Sequence, residues 1–414
     1  VGDEVKKPRL LIVAARSVMP VTGGREALLA DFFNRIATYF ELHLMYFPTN
    51  EIEHDDDYFS LGFSAVSRLA SPSGAGILVN FLSAAGGTLQ ECLFYKSSEA
   101  RRLGRYISEN NIDIVYFDMV RLYRYMLFLR ENNYPVKIIY DLDDLLSVRY
   151  KNFLHERSVD VELLGSYVEK FPFLNFAVKW ARNKILKFES AAALRRELDV
   201  SRSADVVLTT SPAELIKYSD FTGRTKGLFT NFPRISCAVD ESCGELDQKI
   251  VWLGNNNVPH NAMALAFLLD KVVPELPGFC VVVGGLVKGS VVSKYSGEEN
   301  ISFLGRVDLI DEVFTPGALL IAPYVYGTGV KIKLLEAMSK KVFVVTNHVG
   351  FQGIPYDSNM FFRPQLSVEN IVKVVGRLSA DGDFRAAWIA EQNKTLKHYF
   401  DKDNAKNIFD ELGC

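Results

Sequence analysis

Cysteine is scarce in this chain. Five occur in 414 residues (Cys92, Cys237, Cys243, Cys280 and Cys414), and no two form a close Cys-x-x-Cys pair. That spacing implies neither a zinc site nor a disulfide framework. An odd count also suits a reducing compartment. An excess of one charge sign is missing too: 47 Lys and Arg stand against 50 Asp and Glu, a formal net charge of −3. A duplex nucleic-acid binder with a broad basic face is therefore not expected. No apolar run approaches the roughly 18–20 residues of a membrane span. No repeat at a period of 20–50 residues and no low-complexity tract is visible. The start, Val1-Gly-Asp-Glu-Val-Lys-Lys-Pro-Arg9, carries charges and a proline rather than a signal-peptide pattern, and a start at Val is expected of a trimmed chain. What is present is globular: 48% hydrophobic and 23% charged residues, enough for two or three domains with large cores. The expectation is a cytoplasmic protein, or one peripheral to the inner face of the membrane.

Short apolar runs alternate with helical patterns. Leu10–Ala15 is continuously apolar, as in a strand buried on both faces of a parallel sheet. It leads through Gly23-Gly24 into a helix with Ala27, Leu28, Phe32, Ile36 and Tyr39 on one side, and then to the strand Leu42–Phe47. That is a βαβ unit. Pro48–Thr88, rich in Ser, Gly and Ala, reads as loop and helix. Further strands are expected at Ile112–Phe117, Val136–Tyr140 and Ala204–Ser211, with helices at Glu99–Asn110, Leu122–Glu131 and 161–203. Gly227–Pro233 reads as a crossing between domains and Arg234–Gln248 as a linker. A second series follows: strands Ile250–Gly254, Cys280–Gly285, Ile301–Gly305 and Leu319–Pro323, a helix at Asn261–Val273, and closing helices from Val368 to Leu412. Two doubly wound α/β domains are predicted, with ligand crevices beyond the C-terminal ends of their strands.

The stretch with most chemistry is Tyr326-Gly-Thr-Gly-Val-Lys-Ile-Lys-Leu-Leu-Glu336-Ala-Met, followed by Val342–Asn347. It reads as a glycine loop, a helix and a buried strand. Gly327 and Gly329 permit close backbone approach or positive φ. Val330, Leu334, Ala337 and Met338 share one helix face. A helix N-terminus offers free N–H groups to an anion. Lys331 and Lys333 fall in the first turn, where the macrodipole disfavours cations by about a few tenths of a kcal/mol. An anionic ligand accounts for both. Glu336, about two turns in, is placed to accept hydrogen bonds from a sugar diol. Against this stands the ordinary alternative of solvated lysines on a surface helix.

The ordered set of motifs resembles the C-terminal domain of a GT-B glycosyltransferase of the large family 4 type (glycosyl transferases group 1). The set comprises Val251-Trp-Leu-Gly254, Gly284-Gly285, Phe303-Leu-Gly305-Arg306-Val307, Ala322-Pro323, Gly327–Met338, Val344-Val-Thr346 and Gly350-Phe-Gln-Gly353. With Gly23-Gly24, Ala204–Ser211 and Asn231 in the first half, the resemblance covers nearly the whole chain. It implies an α/β architecture of two Rossmann-like doubly wound domains facing a cleft. Residues 1–230 would bind acceptor, 231–390 would bind nucleotide-sugar, and 391–414 would form a C-terminal helix packing back towards the first domain. It implies transfer of sugar from a nucleotide-diphosphate donor to a glycan or lipid-linked acceptor, with retention, without metal and without a further cofactor, in polysaccharide or glycoconjugate synthesis. By position, Glu336 would hold the ribose hydroxyls and Thr328–Lys331 would face the diphosphate and sugar, with Gly329 and Val330 inside that turn. Gly305, Arg306 and Val307 would lie beside the base, and Gly23 and Gly24 would approach the diphosphate.

Three departures mark this chain. Thr328 stands where many relatives have a first glutamate. Asn255 and His260 follow Gly254 where an Arg and a Lys often grip phosphate, so Lys331 and Lys333 are expected to supply that charge. Asp118, with Arg121 further on, stands where a His is common. Lys331, Glu336, Thr328 and Asp118 are accordingly the candidate catalytic residues. Gly23, Gly24, Gly254, Asn255, Gly305, Arg306, Val307, Gly327, Gly329, Val330 and Lys333 are the candidate donor-binding ones.

Other signals have plainer readings. Asp141-Leu-Asp143-Asp144 has metal-binding spacing but reads better as strand-end capping. Phe171–Phe188 mixes aromatic and basic residues at helical spacing, either an amphipathic core helix or a surface for an anionic bilayer. His43 and Cys280 read as structural, Cys280 in the core. Rival functions are a nucleotide-sugar 2-epimerase of the same architecture and a non-catalytic module. The Thr328 departure disfavours the first, and Lys331, Lys333 and Glu336 disfavour the second.

Overall fold

The computed structural model describes residues 7–21, 24–49, 55–83, 87–155, 172–232, 235, 244–307, 309–325, 329–354, 367–400 and 404–413. The chain forms two compact units, residues 1–233 with 403–414, and residues 234–402.

The first unit is built on a parallel sheet of strands β1 (Arg9–Ala14), β2 (Glu41–Tyr46), β3 (Phe63–Arg68), β4 (Ile114–Asp118), β5 (Lys137–Asp141), β6 (Val206–Thr209) and β7 (Leu228–Thr230), in the order β3-β2-β1-β4-β5-β6-β7. The side-chain period of two divides the unbroken apolar runs between two cores. Leu11, Val13, Val115, Phe117, Ile138, Tyr140 and Val207 face one, with helices Ser97–Glu109 and Tyr123–Glu131. Leu10, Ile12, Ala14, Ile114, Tyr116, Ile139, Val206 and Leu208 face the other, with helix Gly24–Ile36. The C-terminal helix Asn404–Glu411 packs on this second face through Ala405, Ile408 and Leu412. A helix of eight residues is unstable alone. Burial of Ile408 and Leu412, at about 1.5–3 kcal/mol each, holds it there, and Asn404 donates to the Thr230 carbonyl at 2.6 Å.

The second unit carries β8 (Lys249–Leu253), β9 (Cys280–Gly284), β10 (Ile301–Gly305), β11 (Leu319–Ala322) and β12 (Phe343–Thr346), all parallel, in the order β10-β9-β8-β11-β12. Helix Gly382–Phe400 belongs to this unit. Its buried Gln392 accepts from the Val344 N–H at 2.9 Å and donates to the Val342 carbonyl at 2.9 Å.

Several expectations are corrected. β3 lies inside the stretch expected to be loop and helix. It is an edge strand, half-buried after Phe63, so its sequence shows little apolar period. Gly227–Pro233 holds the edge strand β7 rather than only a crossing. The chain returns to the first unit at 403 and not at 391, because helix Gly382–Phe400 is bonded to β12. Helix Pro259–Phe267 passes into a wider π turn at Leu268–Val272. Cys280 is exposed at the start of β9, whereas Cys92 is buried. Most of the expected 234–248 linker, residues 156–171 and Phe171 itself lie outside the described residues, so the aromatic–basic stretch is described only in part. His43 is structural as expected, held by the Tyr106 hydroxyl at 2.8 Å and Glu41 at 3.4 Å.

Candidate functional site

Both sheets reverse their winding at a strand whose neighbours lie on opposite sides: β1 between β2 and β4, and β8 between β9 and β11. Open α/β sheets bind ligands beyond the carboxyl ends of the strands at such points.

In the second unit, backbones converge there. Gly285 has φ +98°, and a Cβ on it would lie 2.2 Å from the Gly254 carbonyl oxygen, so only glycine fits. Asn256 ties the turn after β8. Its amide donates to the Gly254 carbonyl at 2.9 Å and the Leu286 carbonyl at 3.1 Å, and its oxygen accepts from the buried Trp252 indole at 2.9 Å. Asn347 does the same after β12, donating to the Tyr324 carbonyl at 2.5 Å.

The lysine pair sits against this frame. Helix Ile332–Ser339 has Lys331 at its N-cap, just outside the first turn expected of it, and Lys333 at its second position. Glu336 is therefore one turn in, not two, and is half-buried. Gly329, with φ +70°, turns the chain into the helix. Lys331 is buried, its Nζ donating to the Gly329 carbonyl at 3.0 Å and lying 5.7 Å from the Tyr324 ring centre. The Lys333 ammonium donates to the neutral Asn261 Oδ1 at 3.1 Å. It sits 4.4 Å from the Trp252 ring centre and 5.7 Å from that of Tyr324. A Cβ at Gly254 would come within 2.7 Å of Lys333 Nζ. Gly254 therefore leaves room for the ammonium to reach the strand end. Burial, then repulsion from Lys331, pushes the Lys333 pKa down to about 7, against a smaller opposing pull from Glu336. Burial raises the Glu336 carboxyl, partly offset by Lys333. The pair brings two cations together beside the Gly254 turn.

The remaining expected donor residues are distributed around it. Asn255 is exposed, its side chain accepting from the Asn257 N–H at 3.0 Å. Gly305 ends β10 with φ +67°, Arg306 is exposed and Val307 half-buried. Val307 packs where a Cβ on Gly284 would come within 2.9 Å of it. Val330 is half-buried. Gly24 opens helix Gly24–Ile36 and is exposed. Gly23, Gly327 and Thr328 lie outside the described residues.

The first unit's switch point is occupied internally. Arg25, the residue after Gly24, is buried and reaches Asp118 at 2.5 Å, Asp141 at 3.1 Å and Asp143 at 3.2 Å. Burial disfavours its charge, but Asp141, Asp143 and Asp118 overcome this and raise its pKa well above the ordinary value. Asp141 also accepts from the Tyr116 hydroxyl at 2.5 Å and from Asn231 at 3.2 Å. Asp118 was expected to point into the crevice as a catalytic group. It is instead fully buried and ion-paired, which corrects that role. Asp144 pairs with Arg149. The Asp141–Asp144 stretch therefore serves these arginines, and among the described residues no three His, Cys, Asp or Glu side chains are grouped to hold a metal. Sequence reasoning missed Arg25. The signal was present: it is a cation in the first turn of a helix, the argument applied to Lys331 and Lys333. Trp252, Tyr324 and Asn261, which surround Lys333, carried no local signal.

Two doubly wound parallel-sheet units, each with its own switch point, make up the GT-B fold. Residues 247–381, within the second unit, match the model of the family glycosyl transferases group 1. The sucrose-phosphate synthase of Thermosynechococcus elongatus has the same fold, with a TM-score of 0.64 at 14% identity over 98% of this chain and 97% of that one. HepE of Anabaena, solved in complex with UDP-glucose, matches with a TM-score of 0.59 at 13% identity over 98% of each chain. An uncharacterized 44.6 kDa protein in the cps region of Klebsiella pneumoniae is 28% identical over 116 residues, 25% of this chain and 30% of that protein's length. No helix among the described residues is long and apolar enough to cross a membrane.

Proposed function

We propose that this chain transfers a sugar from a nucleoside-diphosphate donor to a glycan or lipid-linked acceptor, with retention of anomeric configuration, in the assembly of a polysaccharide or glycoconjugate. The observation that carries the reading is the half-buried Lys333 ammonium at the sheet switch point, with a neutral amide as its hydrogen-bond partner and Lys331 beside it. Two cations in low-dielectric surroundings are costly. A diphosphate between them and the helix N-terminus offsets that cost. The same charges stabilise the diphosphate as it leaves, so the transfer is proposed to need neither metal nor a further cofactor. Glu336, one turn further along, is placed for the ribose hydroxyls.

The fold relative HepE binds UDP-glucose, which makes uridine the first base to try. The test is a thermal-shift screen of UDP, GDP, dTDP and CMP and their sugars, with and without EDTA. Stabilisation by one diphosphate, unchanged by EDTA and lost in Glu336→Ala, is the expected result. No shift with any nucleotide overturns the donor site. Proton NMR of the product anomer tests retention separately.

A further inference from the structure

Helix Gly74–Ser83 is inverted. Its one buried residue is polar: the Asn80 amide donates to the Cys92 carbonyl at 2.9 Å and the Tyr95 carbonyl at 2.7 Å. Its large apolar side chains face water, with Leu82 81%, Val79 62%, Leu78 60% and Phe81 40% exposed. An ordinary surface helix turns the other way. Four neighbouring apolar side chains held outward by a buried polar anchor form a patch of the kind that marks an interaction surface.

Charge selects the occupant. From Leu69 to Gln90 the chain has no charged residue, so the helix has no carboxylate or ammonium to strip of water on entering an apolar phase. The groups that frame it are basic. Arg124 donates to Asn80 Oδ1 at 3.1 Å and stacks on Tyr95 at 3.9 Å. Lys96, its side chain 37% exposed, follows Tyr95, whose carbonyl accepts from Asn80. The acidic side chains of the same stretch, Glu91 and Glu99, are buried and paired with Arg196 and Arg102. An uncharged apolar helix flanked by Arg124 and Lys96 matches an anionic bilayer surface, with the apolar side chains at the acyl boundary and the cations among the headgroups.

We propose that helix Gly74–Ser83 docks this protein on an anionic lipid bilayer. The test is co-sedimentation of the full chain with vesicles of phosphatidylcholine alone and of phosphatidylcholine with phosphatidylglycerol. Wild type is expected to sediment with the anionic vesicles and not with the neutral ones. A Leu78→Ser, Leu82→Ser double variant loses at least tenfold in binding, and Lys96→Glu loses several-fold. Both positions of the double variant are exposed, so its melting temperature should match wild type. A Leu82→Trp variant supplies an independent readout, its emission shifting to the blue on anionic vesicles. No sedimentation of wild type, binding unaffected by the double variant, or an unshifted Leu82→Trp emission overturns the proposal. So does concentration-dependent dimerisation abolished by the double variant, which would make the face a self-interface.

Discussion

The two switch points share a topology and differ in electrostatics. In the first unit a buried arginine is surrounded by three aspartates of the same chain. In the second a half-buried lysine has a neutral amide and aromatic rings. The first is neutralised internally and locks the start of its helix to the ends of β4 and β5. The second holds its charge against rings and an amide, with only a smaller pull from Glu336, and an added anion would relieve the cost. One set of buried charges is structural, and the other suits ligand binding.

Removing each cation should therefore give opposite results. Arg25→Met leaves Asp118, Asp141 and Asp143 buried together without their counter-ion, and breaking such a group costs about 3–5 kcal/mol. Calorimetry should show earlier unfolding at pH 7, while any UDP affinity that survives stays close to wild type. Lys333→Met removes a desolvated charge and keeps an apolar stem under Trp252, so stability should hold or rise. UDP affinity should instead fall by about 30- to 1000-fold, the range for truncating one partner of a buried charge pair. Parallel behaviour of the two variants would break the comparison.

The pH dependence sharpens it. Lys333 in the unliganded protein titrates near 7, against an ordinary value of 10.5. The folded state thus binds fewer protons than the unfolded chain between pH 7 and 10.5, and this group's contribution to stability rises with pH across that window. Glu214 in the first unit moves the other way. Burial, then Asp144, raises it to about 8 from 4.5, so its contribution is full below pH 4.5 and is lost as pH rises through 8. Binding a diphosphate needs Lys333 charged. From pH 7 to 9 the UDP Kd should rise by up to about tenfold per unit, and Lys333→Met should flatten the profile. Isothermal titration in buffers of different ionisation enthalpy would detect the accompanying proton uptake.

How much of this was legible in the sequence depends on whether the signal was local. β1, β4, β8 and β11 were visible as unbroken apolar runs because both their faces are buried. β3 was not, because an edge strand buries too few side chains to impose a period. The glycine at 285 was visible as one of a pair, but the contact that requires it, with Gly254, is between strands. Lys331 and Lys333 could be singled out because a cation at a helix start conflicts with the dipole. Their burial under Trp252 and Tyr324 could not, because those side chains are 81 and 9 residues away from Lys333 along the chain. Asp118 misled for the same reason. A carboxylate at a strand end looks available until the arginine that holds it, 93 residues earlier, is seen.

The smallest expected effect separates two residues at the tip of the same site. Lys331 is buried beside Lys333 and already donates to the Gly329 carbonyl, so its charge shapes the turn as well as the field. Asn255 is exposed and spends its side-chain oxygen on the Asn257 N–H. It follows Gly254 at the end of β8, but it carries no charge. Lys331→Ala should therefore weaken UDP binding by about tenfold, as expected for one charge-assisted hydrogen bond. Asn255→Ala should change it by less than about twofold, its loop contact being solvent-exposed. Isothermal titration at pH 7 measures both. Equal small losses would mean that the diphosphate lies away from the lysine pair. A larger loss at Asn255 would move it to the β8 turn, and the neutral cage around Lys333 would then need another anion to explain it.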